Sequence, residues 1–274
     1  MKLIWILVLC LLLGGCGNVS VPVTTIAPET AVPTESATVP ETTVPEVTET
    51  EPQETAPPVT LPEHSELYLP EVSQEEMIAY FNEVVLATEY STGDGNPALV
   101  QKWVQPIYYR IDGQPTDGDL TILESFFDQL NQVAGFPGFI PADDTRPVED
   151  LTISFLDEDT FQLAFSDFLQ GEYADGAVQY WYNTETNEIN SARIGYRTDI
   201  RLETRTSVLI EEIVNLLGIT DTAMRTDSIV YQYGSEITVP SDVDWAIIRL
   251  LYHPDIKCGM DEAACLEVLQ ELYY

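Results

Sequence analysis

The sequence predicts an α+β domain, and three observations carry that prediction. Apolar residues recur at helical spacing near both ends of the last 200 or so residues. Between those ends they alternate with polar residues. The alternating stretches come in pairs separated by short polar turns, as hairpins do. Helices at both ends of paired strands imply a twisted, mostly antiparallel sheet with helices packed on it.

Each element has its own signal. Ser73 opens the first helix: Glu75 and Glu76 occupy its first turn, and Met77, Ile78, Phe81, Val84 and Val85 follow helical spacing. Trp103 to Ile111 reads as a strand closed by the Asp112-Gly113 turn. A second helix over 119–133 gathers Leu120, Leu123, Phe126, Phe127 and Leu130 on one face. Leu151 to Leu156 and Phe161 to Phe165 alternate across Asp157-Glu158-Asp159, which predicts a hairpin. Ala177 to Tyr182 and Ile189 to Tyr196 predict another, around Thr184-Glu185-Thr186-Asn187. Helices at about 205–217, 242–252 and 261–272 close the domain, which therefore spans 71–274.

Residues 17–70 differ in kind. They are Thr, Pro, Glu and Val in loose repeats, without Lys or Arg and with no aromatic before Tyr68. Such a segment cannot bury enough apolar surface to offset its ordering entropy. Its prolines and like charges favour extended backbone, so about fifty residues at roughly 3.1 Å each reach up to about 150 Å. The expectation is a disordered stalk.

Ahead of the stalk, Lys2 precedes an apolar run from Leu3 to Leu13 that is too short to span a hydrocarbon core of roughly 30 Å as a helix. A charged start, a short apolar run and small residues make a secretory signal. Leu13-Gly14-Gly15-Cys16 resembles the bacterial lipobox. That resemblance implies cleavage after residue 15, lipidation of Cys16 and an extracytoplasmic domain held to the cell membrane. Two or more acyl chains give stable anchoring. An ordinary signal peptide with an incidental cysteine is the alternative.

With Cys10 inside the signal and Cys16 lipidated, Cys258 and Cys265 remain. Outside the cytosol, a pair seven residues apart is most simply a disulfide. A metal site is the other option, though no second pair or histidine cluster completes one. The domain holds 37 Asp and Glu against ten Lys and Arg. That charge repels nucleic acid and anionic headgroups, so membrane contact is expected through the anchor alone.

The chemically suggestive segment is Arg205 to Asp221. Glu211 and Glu212 interrupt an otherwise apolar helix. Asn215 lies on the same face as Glu211, Gly218 follows where a left-handed stop is expected, and Asp221 comes three residues later. Buried carboxylates are costly without partners, so a cleft is the expected setting.

Aligned on Gly218, this segment resembles the H-E-x-x-H-x-x-G-x-x-H/D signature of metzincin-type zinc peptidases. Asp227-Ser228-Ile229-Val230-Tyr231 resembles their Met-turn, with Val230 at the methionine position. Ser241-Asp242-Val243-Asp244 resembles the start of the next helix. The domain is also similar to secreted bacterial proteins of undetermined function that carry E-E-x-x-[QN]-x-x-G and L-Y-x-P segments, here Leu251-Tyr252-His253-Pro254. The resemblance implies a zincin-like fold whose degenerate active-site helix is followed by C-terminal helices. It also makes Glu212 the general-base equivalent and Glu211, Asn215 and Asp221 the ligand equivalents.

Both histidine positions are lost, and His253 lies beyond the next helix. An all-oxygen Glu/Asn/Asp set suits zinc poorly, so no metal or cofactor is expected. Three readings of the four polar residues stay open: a calcium site, a pocket for a cationic group, or mutual hydrogen bonding in a closed remnant. Met224, Tyr231, Tyr233 and Trp245 are expected in the core or the cleft wall. The expected function is a catalytically inactive binding or scaffold module for a protein, peptide or cell-wall ligand, with strand addition at a sheet edge as one mode. The alternatives are a hydrolase with an unusual metal on Glu211, Glu212 and Asp221, or a domain that only packs against a partner protein.

Overall fold

The computed structural model describes residues 65–86, 98–143, 149–169, 173–234 and 236–273. The signal segment, Cys16 and the stalk as far as 64 lie outside the described residues. The globular unit begins before residue 70: Leu67, Tyr68 and Leu69 pack on the core, and the Tyr273 hydroxyl lies 3.2 Å from Leu69 O and 3.1 Å from Val72 O.

Helix α1, Gln74–Phe81, starts at a reciprocal cap in which Ser73 and Glu76 satisfy each other's backbone amides. It runs into a π-helical turn, Asn82–Leu86. Strands β1 (Lys102–Trp103) and β2 (Ile107–Gly113) take up the predicted single strand, and α2 follows at Asp117–Leu130. Strands β3 (Phe139–Pro141) and β4 (Leu151–Leu156) precede two short helices, α3 (Glu158–Ala164) and α4 (Ser166–Leu169). Strands β5 (Gly176–Tyr182) and β6 (Glu188–Arg197) form the expected antiparallel hairpin. Helices α5 (Leu202–Leu216), α6 (Asp242–Leu251) and α7 (Glu262–Leu272) complete the domain.

The sheet corrects the antiparallel expectation. Strands β3, β2, β4 and β6 lie side by side and parallel, and β1 pairs parallel with the start of β6. Only β5 runs antiparallel, on the opposite edge of β6: Ala192 faces Leu151 on one side and Tyr180 on the other. The error lies at 157–165. The Asp157 side chain accepts from Thr160 N at 2.8 Å, so the acidic run is a helix N-cap and first turn, not a hairpin turn. Phe161 and Phe165 then stack at 5.2 Å as an i, i+4 pair, while Leu163 is exposed. A helix there turns the path from β4 to β6 into a crossover, which parallel pairing requires. Helix α2 does the same between β2 and β3.

Helix α5 is buried around its circumference from Ser207 to Leu216. Its carbonyls and the turn after it anchor three distant side chains: Tyr196 Oη donates to Leu209 O at 2.8 Å, Trp103 Nε1 to Leu216 O at 3.0 Å, and Tyr252 Oη to Leu217 O at 3.1 Å. Its N-terminal end is tied to α2 by a buried ion pair, Arg205 Nε to Asp119 Oδ1 at 2.8 Å. Along β5, Gly176 to Tyr180 are all buried.

The expected disulfide is not formed: Cys258 and Cys265 are free thiols. Residues 259 and 260 bond to Val100, which fixes Cys258 beside the β1 segment, and its thiol donates to Lys102 O at 3.6 Å. Cys265 is buried within α7, and burial pushes its thiol up to about 11. The buried Lys102 ammonium feels both thiols and donates to the carbonyls of Leu251 and Ile256.

Candidate functional site

The α5 helix ends because Gly218 adopts φ +99°, a conformation other residues resist, and a Cβ there would lie 2.1 Å from Gln101 O. That turn folds the chain back on the helix. Asn215 Nδ2 consequently donates to Asp221 Oδ1 at 3.0 Å, six residues on in the chain. Two of the three ligand-equivalent positions are thus brought together, and they are bonded to each other.

Glu211, Glu212, Asn215 and Asp221 are all buried, with Glu212 and Asn215 at 0% exposure. They form an enclosed polar cluster instead of lining an open cleft. Strand β5 closes it: at Gly176 a Cβ would stand 2.3 Å from Val208 Cγ1 and 2.8 Å from Glu212 Oε1. Tyr196 on β6 is the cluster's other neighbour. Its hydroxyl is held well above its ordinary pKa, first by burial and then by the charges of Glu212 and Glu211. Among the described residues, no three or more His, Cys, Asp or Glu side chains are grouped to hold a metal ion.

The segment resembling a Met-turn returns to this cluster. Thr222, next to Asp221, donates from its N–H to Val230 O at 2.8 Å and accepts from Gln232 N at 3.1 Å. Val230 is buried. The preceding Ser228 is clamped from two sides, by Tyr80 Oη at 2.9 Å and by Asp244 Oδ1 at 2.6 Å. Asp244 Oδ2 also accepts from Ile229 N at 3.0 Å and from Ser241 N at 2.8 Å. The start of α6 and the turn are therefore one hydrogen-bonded unit.

Glu83 was not foreseen from the sequence. From the π-helical turn it accepts from Thr222 Oγ1 at 2.8 Å and Ala223 N at 3.1 Å, while Val84 O accepts from Thr220 N at 2.7 Å. Such π turns leave backbone groups open to outside partners and often mark functional regions. Gly176 and Tyr196 were missed as well, since nothing local marks a residue that approaches a helix from a distant strand. Met224 and Tyr233 are exposed, not in the core or a cleft wall. Tyr231 is half-buried against Tyr233, and Trp245 is half-buried on α6.

A family model described as "Protein of unknown function (DUF2927)" matches residues 74–271. No curated protein and no solved structure matches the chain.

Proposed function

We propose that this chain, which belongs to the DUF2927 family, is a lipid-anchored surface protein whose peptidase-like domain is catalytically inactive and works as a binding or scaffold module. The anchor reading rests on Leu13-Gly14-Gly15-Cys16 behind a short apolar run. Cys16 then holds the domain outside the cell membrane on its Thr/Pro/Glu-rich stalk. The acidic surface keeps nucleic acid and anionic headgroups away, leaving a protein, a peptide or a cell-wall component as the ligand.

One observation carries the inactive reading: the bond from Asn215 Nδ2 to Asp221 Oδ1. In a zinc peptidase those positions turn their donor atoms to the metal, and the neighbouring glutamate polarises metal-bound water. Here an amide proton takes the carboxylate oxygen, and Glu212 is wholly buried beneath β5. Both features support the inactive reading.

The test combines calorimetry with zinc, then calcium, on the chelator-stripped full chain and hydrolysis assays on mixed peptides. The expected result is no site-specific binding of either ion and no cleavage. Micromolar binding that Asp221→Ala removes, together with cleavage abolished by Glu212→Gln, would establish the hydrolase instead.

A further inference from the structure

Away from the Glu212 cluster, a cavity of about 930 Å³ opens between the C-terminal ends of α2 and α6 and the segment at 65–67. Its volume lies within the range of small-molecule sites. Helix α6 and the residues just past it supply a stripe at four-residue spacing: Trp245, Arg249 and His253. Gln129 and Gln132 face them from the end of α2.

Arg249 sets this cavity apart. Arg110, Arg193, Arg197, Arg201, Arg205 and Arg225 each pair with a carboxylate. Among the described arginines, Arg249 alone pairs with none. Its guanidinium stands 6.0 Å from the Trp245 ring centroid, and Phe126 braces that ring edge-on at 5.7 Å. An unpaired guanidinium on a cavity wall favours an anion locally, against the repulsion of a chain of net charge −35. Among the described residues, Glu66 is the one carboxylate on the lining, and it is exposed.

The other polar groups define what carries the anion. Both glutamines spend an amide proton on their own helix, Gln129 on Ser125 O and Gln132 on Asp128 O, each at 3.1 Å. Their Oε1 atoms remain as acceptors for hydroxyl protons. His253 Nδ1 accepts from Asp255 N at 3.3 Å and lies 3.6 Å from Asp255 Oδ2, which leaves Nε2 as the ring's second polar atom. The half-buried indole offers an apolar face. A guanidinium, hydroxyl acceptors, an imidazole and an aromatic face together match a hydroxyl-rich ring that bears a carboxylate.

We infer that this cavity binds an acidic sugar, its carboxylate on Arg249 and its ring against Trp245. It shares no residue with the Glu212 cluster, so its test is independent of the inactive-peptidase reading. The experiment is calorimetric titration of the full chain with glucuronate, glucose and acetate, repeated on Arg249→Gln. Arg249 is exposed, so this variant keeps the fold, which circular dichroism checks. Saturable glucuronate binding is expected, weakened at least about tenfold in Arg249→Gln and at least about tenfold weaker for glucose and for acetate. Absence of saturable glucuronate binding up to about 10 mM, equal binding by the variant, or acetate binding as tight as glucuronate each overturns the proposal.

Discussion

Ser228 Oγ donates to Asp244 Oδ1 at 2.6 Å, joining the turn at 227–231 to the first turn of α6 across sixteen residues of chain. The same carboxylate accepts from Ile229 N, Ser241 N and Ser241 Oγ, and Tyr80 Oη lies 3.4 Å from Oδ1. Asp244 is therefore helix cap and turn clamp at once. Replacement by Ala leaves several buried donors without acceptors, each costing about 1–3 kcal/mol. Asp244→Ala is expected to lose about 3 kcal/mol or more in urea unfolding, and Ser228→Ala about 1 kcal/mol. A loss under about 1 kcal/mol for Asp244→Ala would mean the clamp is incidental.

The Arg205–Asp119 pair gives a second expectation. Asp119 is fully buried, and its other oxygen accepts from Thr116 N and Oγ1 at the start of α2, both at 2.8 Å. Arg205→Met strands that carboxylate, and breaking a buried pair from one side costs about 3–5 kcal/mol. The double variant Arg205→Met, Asp119→Leu removes both charges and is expected to recover part of the loss. A double variant no more stable than Arg205→Met, by urea midpoint, would show that the cap contacts of Asp119 dominate.

Lys102 sets a pH dependence. Burial lowers its pKa from 10.5 to about 8, partly opposed by Cys258 and Cys265. Below pH 8 folded and unfolded chains both carry the proton, and above 10.5 neither does. Between those values the unfolded chain binds more protons, so the lysine's contribution to stability rises with pH. The stability of wild type relative to Lys102→Met is therefore expected to increase from pH 8 to pH 10. Denaturant midpoints of the two proteins at both values check the sign. A flat or falling difference would mean the ammonium is better solvated than its two carbonyl partners imply.

Helix starts were legible where a cap writes itself locally: Ser73 with Glu76 and Ser241 with Asp244 both appear as reciprocal boxes. The parallel sheet was not. Phe161, Leu163 and Phe165 satisfy strand alternation and, through the outer pair, helical spacing, so periodicity alone does not choose between them. The capping bond of Asp157 decides. The Asn215–Asp221 contact was legible in outline, because Gly218 limits how far the chain travels between them. Glu83 meets Thr222 from 139 residues away, a proximity that only the assembled fold creates.

The peptidase resemblance has a constructive test in the variant Glu211→His, Asn215→His. If α5 and the Gly218 turn keep the geometry of a zinc-peptidase helix, two imidazoles one turn apart will join Asp221, since Asn215 already reaches that carboxylate at 3.0 Å. Replacing Asn215 also removes the amide donor that Asp221 Oδ1 now accepts from. The double variant is expected to bind one zinc with micromolar or tighter affinity, at least about a hundredfold tighter than wild type. Zinc should raise its thermal midpoint and leave that of wild type unchanged. Calorimetry and a thermal scan read both, with circular dichroism confirming that the variant is folded. A folded double variant that binds no zinc would mean that positions 211, 215 and 221 do not converge as ligand positions must. The likeness of the three segments would then be one of sequence order alone, and the scaffold reading would need support from its ligand.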